Sequence, residues 1–266
     1  MAAKRGNPPV LKRFGQHFLV DEQALEDIAR AASPEPDDTI IEIGPGRGAL
    51  TDHLAKFGNP LVAIEIDRAL AAQLREKYRN NEHIRVIEQD FLEADVTAFV
   101  SGSFVVVGNV PYYITTPILF HVLKSPLPRR AVFLVQREVA ERIVSPPGSS
   151  EYGALSVNVQ AIASTEIIRH VGSASFRPSP KVDSAVIRIT PRKDPLVSAA
   201  ETDRFRSFVQ GLFGMRRKQL ANSLRSVSNR TADEVLQILG ESGIDPRARP
   251  ETLDPAQFVE LHKRTA

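Results

Sequence analysis

The most chemically pointed stretch of the chain is Val105-Val106-Val107-Gly108-Asn109-Val110-Pro111-Tyr112-Tyr113. An apolar β-branched run stops at Gly108 and hands over to Asn-x-Pro-Tyr, which reads as a buried strand of a parallel sheet followed by a loop. Ligands of open α/β sheets lie outside the carboxyl ends of the strands, so Asn109 to Tyr113 falls where chemistry is expected. Pro111 removes a backbone donor and biases Val110 toward an extended conformation. An amide side chain, free carbonyls and an aromatic ring then stand side by side on a stiff loop, a set that suits a planar molecule bearing an amino group. The exocyclic nitrogen of such a ring, as in adenine, is a poor nucleophile because its lone pair is delocalised. The side-chain oxygen of Asn109 and a main-chain carbonyl near Pro111 could hold both N–H bonds and favour a pyramidal nitrogen aimed at an electrophile. Tyr112 could stack on the ring, worth about 1–3 kcal/mol per base. Taken alone, the same residues also describe a turn after a strand with a half-buried tyrosine.

The elements that would supply the electrophile lie upstream. Asp21 can cap a helix whose apolar face is Ala24, Leu25, Ile28, Ala29 and Ala32, ended by Pro34 and Pro36. Thr39 to Ile43 reads as a buried strand running into Gly44-Pro45-Gly46-Arg47-Gly48. Glycines let the backbone approach a ligand, and the following helix, to about Phe57, turns its amide end toward it. The next strand, Leu61 to Ile66, carries Glu65 near its end, at the ribose-hydroxyl position of nucleotide-binding α/β folds. After a helix from Arg68 and a strand from Ile84 to Glu88 comes Asp90-Phe91: Asp90 could accept from an adenine amino group while Phe91 or Ile66 pads the ring. The glycine spacing is one residue short of the dinucleotide fingerprint G-x-G-x-x-G. With acids after two successive strands and no hydride-transfer partner visible, it reads better as an S-adenosylmethionine site than as a nicotinamide one.

The 266 residues suffice for one α/β domain and a small second one. No segment reaches the roughly 18 apolar residues of a membrane helix, and the N-terminus lacks the apolar core of a signal peptide, so a cytoplasmic protein without membrane contact is expected. With no cysteine, disulfides, thiol catalysis and Cys-ligated zinc are excluded, and the six histidines show no metal-ligand spacing, so no metal is expected. A monomer is the default expectation. The net charge is only +2, but the basic residues cluster. Lys4, Arg5, Lys12 and Arg13 precede Val20 without an acid, and seven Lys/Arg lie between Arg204 and Arg230, again without an acid. Interleaved with Phe14, Phe18, Phe205, Phe208 and Phe213, they point to a phosphate backbone as partner, or to a solvated basic face.

Farther along, Thr115 or Thr116 can cap a helix with Pro117 in its first turn, and 131–135 reads as a strand. The segment 137–144 reads as a helix and 145–153, rich in Pro, Gly and Ser, as a mobile surface loop. Leu155 to Ile162 leans toward helix. Strands at 165–171 and 184–189 suggest an antiparallel hairpin at the sheet edge. Between them, Phe176-Arg177-Pro178-Ser179-Pro180-Lys181-Val182 could close over a base opposite Tyr112, or could be a rigid connection with Phe176 in the core. A linker at 191–200 separates a tail with helices expected near 202–213, 217–226, 231–240 and 255–263. Arg216, Arg217 and Lys218 would open the second of these, where cations oppose the helix dipole and so suggest a partner.

The whole resembles the ribosomal RNA adenine dimethyltransferase family, in its bacterial small-subunit (16S) branch. The resemblance covers nearly all the chain and rests on five blocks in order: Lys12 to Leu19, Glu42 to Gly46, Asn109 to Tyr112, Phe176 to Val182, and Arg216-Arg217-Lys218 with Asn222-Ser223-Leu224. It implies an α/β class I S-adenosylmethionine-dependent methyltransferase domain, a Rossmann-like mixed seven-stranded sheet, over 1–192. A small all-helical rRNA-binding domain would follow over 193–266. It implies dimethylation of N6 on two adjacent adenines in a hairpin loop near the 3′ end of 16S rRNA, with S-adenosylmethionine as donor. The work would take place on the assembling 30S subunit during ribosome biogenesis, and loss of the activity is associated in the family with kasugamycin resistance.

Carried over by position, His17 and Leu19 would line the cofactor near its methionine end, with Gly44 and Gly46 beneath it. Glu65 would bind the ribose hydroxyls and Asp90 the adenine amino group, beside Ile66 and Phe91. Asn109 and Pro111 would meet cofactor and target amine, and Tyr112 and Phe176 would sandwich the base. Lys12, Arg13, Arg177, Lys181, Arg216, Arg217 and Lys218 would meet the RNA. The chain departs from the family pattern at His17, often Asn; at Val110, usually Leu; and at Tyr113, commonly Asn, His or Gln. Two competing readings share much of this pattern. One is a macrolide-resistance methyltransferase acting on large-subunit rRNA, the other a non-catalytic RNA-binding assembly or transcription factor.

Overall fold

The computed structural model describes residues 16–215 and 218–265. The chain divides into two compact units: one comprises the described residues up to Ala140 together with Glu166–Thr190, the other Glu141–Thr165 and Pro191 onward.

The larger unit begins with a two-residue strand, β1 (Phe18–Leu19), and helix α1 (Glu22–Ala32). The Asp21 side chain accepts from Ala24 N, and the expected apolar face of α1 is buried in full. Strand β2 (Thr39–Ile43) leads through the glycine turn into α2 (Ala49–Leu54) and a 3-10 turn that Gly58 closes. Then come β3 (Leu61–Glu65), α3 (Arg68–Lys77, capped by Asp67), β4 (Ile84–Glu88), β5 (Phe104–Asn109), α4 (Thr115–Val122) and β6 (Arg130–Gln136). Neither threonine caps α4. The helix starts at Thr115 itself, whose hydroxyl turns back to the Pro111 carbonyl.

After α5 (Arg137–Val144) and α6 (Ala154–Gln160), the sheet is completed by β7 (Ala163–Val171) and β9 (Ser184–Pro191), while β8 (Phe176–Arg177) pairs with β1 in a separate ribbon. The seven strands run in the order β4-β3-β2-β5-β6-β9-β7. The first five are mutually parallel and β9 is antiparallel to β6, so the mixed sheet matches the expectation. Chain order reverses between β2 and β5, which makes their carboxyl ends the switch point where such sheets bind ligands. The two strands are in register there, Ile43 opposite Gly108.

The smaller unit contains α6, α7 (Thr202–Phe213), α8 (Leu220–Ser228), α9 (Ala232–Glu241) and α10 (Pro255–Thr265). Tyr152, Val157 and Ala161 share one buried cluster with Phe205, Val209, Leu224, Leu239 and Phe258. That shared core is why the expected boundary at 192/193 is incomplete: residues 141–165 belong with the helical tail. The segment 145–153 is a loop with residues 146–148, 150 and 151 exposed, as expected at a surface, but Tyr152 within it is fully buried and its hydroxyl donates to the Leu253 carbonyl. The helix expected near 217–226 starts at Leu220, leaving Lys218 exposed ahead of it rather than within its first turn. Lys12, Arg13, Arg216 and Arg217 lie outside the described residues.

Candidate functional site

A cavity of about 350 Å³ opens at the carboxyl ends of β2, β3 and β5 in the larger unit, within the range of small-molecule sites. Its wall brings together Gly44, Gly46, Glu65, Ile66, Asp90, Phe91, Asn109, Pro111 and Tyr112 with His17 and Leu19 from the N-terminal segment.

The floor is the glycine turn. Gly46 has φ +60, and a Cβ there would come within 3.0 Å of the Phe18 ring. Gly48 has φ +80, and a Cβ would meet Tyr78 Oη at 2.7 Å. The left-handed backbone therefore strains any side chain at either position, and the neighbouring side chains would have to shift to admit one. The Gly44 amide donates to the Ile64 carbonyl, fastening the turn to β3. Phe18 also carries the Arg47 guanidinium 4.3 Å above its ring.

The acids end successive strands. Glu65 is buried, accepting from the amides of Gly46 and Asp67, both at 2.9 Å. Burial pushes its carboxyl pKa up, against those two amides. Glu42, one strand across, is fully buried and accepts from Thr51 Oγ1 at 2.6 Å; burial pushes it up to about 8. Asp90 caps a short 3-10 turn through one oxygen, which accepts from Leu92 N. Phe91 is buried edge-on to His121, and Ile66 is 46% exposed as an apolar pad at the rim.

Asn109 ends β5 at the mouth. Its Nδ2 donates to the His17 carbonyl at 2.9 Å, and since a carbonyl can only accept, this fixes the orientation of the amide and leaves the side-chain oxygen and one N–H for other partners. The Pro111 carbonyl already accepts from Ile114 N and Thr115 Oγ1. The Tyr112 ring lies near-parallel to His17, 6.0 Å between centroids and 18° between planes, and its hydroxyl is 2.7 Å from Ser184 Oγ. Burial pushes the Tyr112 hydroxyl pKa up, so it is protonated at neutral pH. His17 Nδ1 donates to the Pro178 carbonyl at 2.8 Å.

Phe176 is the correction. It is fully buried in the core with Leu19, Ile28 and Val186 rather than on the cavity wall. Pairing of β8 with β1 sets Leu19 opposite Phe176 and turns that ring inward, while Arg177 faces out. The ring that faces Tyr112 is His17, not Phe176. Arg177 and Lys181 are exposed, and Arg177 Nη1 braces the loop by donating to the carbonyls of Ala174 and Phe176. Sequence reasoning missed Glu42 and Ser184 as members of the site. The signal at Glu42 is an acid among the buried isoleucines of β2, whereas Ser184 shares β9 with Arg188 and Thr190 and carries no such signal.

The sequence profile described as "Ribosomal RNA adenine dimethylase" matches residues 10–266. The chain belongs to that family. It is 40% identical over 263 residues to the ribosomal RNA small subunit methyltransferase A of Moorella thermoacetica, covering 95% of this chain and 91% of the relative. The protein of the same name from Geobacillus thermodenitrificans is 40% identical, with 94% and 89% covered. Among solved structures, a dimethyladenosine transferase from Plasmodium falciparum superposes with a TM-score of 0.81 at 25% identity, covering 92% of this chain and 96% of that one. The 23S rRNA methyltransferase ErmE superposes with a TM-score of 0.73 at 32% identity, covering 93% and 98%. The fold of the larger unit is that of class I S-adenosylmethionine-dependent methyltransferases. Among the described residues no helix is long and apolar enough to cross a membrane, and no cluster of His, Asp and Glu is placed to hold a metal ion.

Proposed function

We propose that the protein transfers methyl groups from S-adenosylmethionine to N6 of two adjacent adenines in a 3′-terminal hairpin loop of 16S rRNA, giving N6,N6-dimethyladenosines. It would do so as a cytoplasmic monomer acting on the assembling 30S subunit. The observation that carries this is the shared register of β2 and β5: the glycine turn and Asn109 leave neighbouring strands at the same level, into one cavity.

The residues present fit the donor. Glu65 suits ribose hydroxyls, the oxygen of Asp90 not used by Leu92 N suits an adenine amino group, and Ile66 and Phe91 pad the ring. His17 and Leu19 line the methionine side. S-adenosylmethionine supplies an electrophilic methyl on a sulfonium, so the chain's own task is alignment. Asn109 Oδ1 accepts from the target amine and orients its lone pair, and Tyr112 offers a ring face to the base. Positioning of this kind can supply about 7–11 kcal/mol. No side chain of the site has to act as a strong base, since the proton of the methylated amine can leave to water. The target adenine must be unstacked to reach Asn109, which a hairpin loop permits at low cost. Lys12, Arg13, Arg177, Lys181, Arg216, Arg217 and Lys218 would meet backbone phosphates and place the loop.

The test is methyl transfer from labelled donor to undermethylated small subunits, followed by nucleoside digestion; N6,N6-dimethyladenosine is the expected product. The ErmE likeness supports a second reading, in which large-subunit rRNA is the substrate. Label appearing only in large-subunit rRNA would establish that reading, and a bound donor with no methyladenosine in either RNA would leave a binding protein.

A further inference from the structure

Ser184 opens β9, and it is the one hydroxyl in a run that continues Ala185-Val186-Ile187, all fully buried. It is itself 0% exposed and pairs across the ladder with Gln136. A hydroxyl with no access to water needs a partner inside the protein. The partner is Tyr112 Oη at 2.7 Å, and Tyr112 is the ring that the proposed function assigns to the target base. We propose that Ser184 is a positioning residue for methyl transfer, which presets the position of the Tyr112 ring before a base arrives; this rests on the stacking role given to Tyr112.

The geometry favours a preset ring over a mobile one. Tyr112 stands on a short 3-10 turn, Tyr112–Ile114, and pivots about two side-chain torsions. Oη is the side-chain atom farthest from that pivot and lies on the axis of the second torsion, so a bond there restrains the first torsion and leaves the plane to whatever flanks the ring. Tyr113, the next residue on the same turn, is 60% exposed, and among the described residues its hydroxyl makes no hydrogen bond. The opposite restraint comes from the face: the His17 ring lies parallel to Tyr112 and is held by the Pro178 carbonyl. Tethered at its tip and flanked on one face, Tyr112 presents a defined plane. RNA affinity comes mainly from phosphate contacts, so loss of the tether should appear in the rate of transfer rather than in binding of the RNA as a whole.

The experiment compares Ser184→Ala, Tyr112→Phe and the double variant in single-turnover methyl transfer to undermethylated small subunits, with binding of S-adenosylmethionine and of rRNA measured alongside. Ser184→Ala should slow transfer about five- to tenfold, as expected for one net hydrogen bond, while leaving both affinities within about twofold. Tyr112→Phe removes the same bond from the other side and should show the same loss, and the double variant should lose no more. Transfer at the native rate in Ser184→Ala overturns the proposal, and so does an equal further loss when that change is added to Tyr112→Phe, because a purely structural serine would act in either background. If Ser184→Ala does not fold, Tyr112→Phe decides alone, and a native rate there overturns the proposal. Tyr112→Ala separates the two claims: native transfer in that variant removes the stacking role itself, whereas its loss beside unaffected Tyr112→Phe and Ser184→Ala removes only the tether.

Discussion

Glu42 offers a quantitative check on the environment beneath the glycine turn. Its carboxyl is fully buried, so burial first and the like charges of Glu65 and Asp52 second raise its pKa from the usual 4.5 to about 8, against the Thr51 hydrogen bond and Lys77. Between those two values the unfolded chain has released the proton while the folded one keeps it. Unfolding therefore releases a proton, and stability falls as pH rises, by about 1.4 kcal/mol per pH unit. The stabilisation present below pH 4.5 is lost progressively and is gone above about pH 8, a total of about 5 kcal/mol. Glu42→Gln keeps an oxygen for the Thr51 hydroxyl but has no proton to lose. Relative to the native chain, the variant should gain about 2 kcal/mol at pH 6 and about 5 at pH 8.5, so the difference between the two proteins should widen by about 3 kcal/mol. Urea denaturation of both proteins without ligand, at the two pH values, measures it, and other titrating groups cancel in the difference. An offset that is the same at both pH values would mean that Glu42 ionises normally in the folded protein, and the burial argument would fail.

Asn109→Ala should slow methyl transfer by about 100-fold or more, the scale of a reacting group misplaced by an ångström, while rRNA binding is largely kept; native-rate transfer in single-turnover assays would remove Asn109 from its role. Neutralising Arg216, Arg217 and Lys218 together should weaken rRNA binding and flatten its dependence on salt by about 0.9 in the log–log slope per lost duplex phosphate contact. An unchanged slope would count against that segment as an RNA contact. Gly48→Ala should lower stability by at least about 1–2 kcal/mol, from the left-handed backbone alone, with the clash against Tyr78 Oη and Leu74 Cδ2 adding to it; an unaltered melting temperature would contradict the described turn.

The parts of the fold legible in the sequence are those written in local pattern. The valine run before Asn109, the apolar strand before Gly44 and the face of α1 each bury what their periodicity says they bury. Thr202–Phe213 and Ala232–Glu241 fall within a residue of the expected helices, because amphipathic spacing and the Thr231–Glu234 capping box are local signals. The misreadings share a non-local cause. Phe176 turns inward because a two-residue strand 157 positions away pairs with it, and no window around Phe176 contains that information. Tyr152 ties an otherwise exposed loop into a core by reaching Leu253. Ser184 looks like an ordinary strand residue until Tyr112 is placed beside it. In each case a partner distant in sequence decides which way a side chain faces.

The β1–β8 ribbon also bears on the order in which the chain matures. Asn109 holds the carbonyl of His17, 92 positions earlier, and the ring of His17 waits for Pro178, 161 positions later. During synthesis from the N-terminus, the glycine turn and its neighbouring strands emerge while the segment that braces the His17 wall of the cavity is still untranslated. Closing that wall is a long-range step of the kind that comes late in folding. A nascent chain halted before Phe176 would thus hold most of the strands of the sheet yet lack the braced histidine beside Tyr112, and the site would gain that brace only once the β8 segment leaves the ribosome.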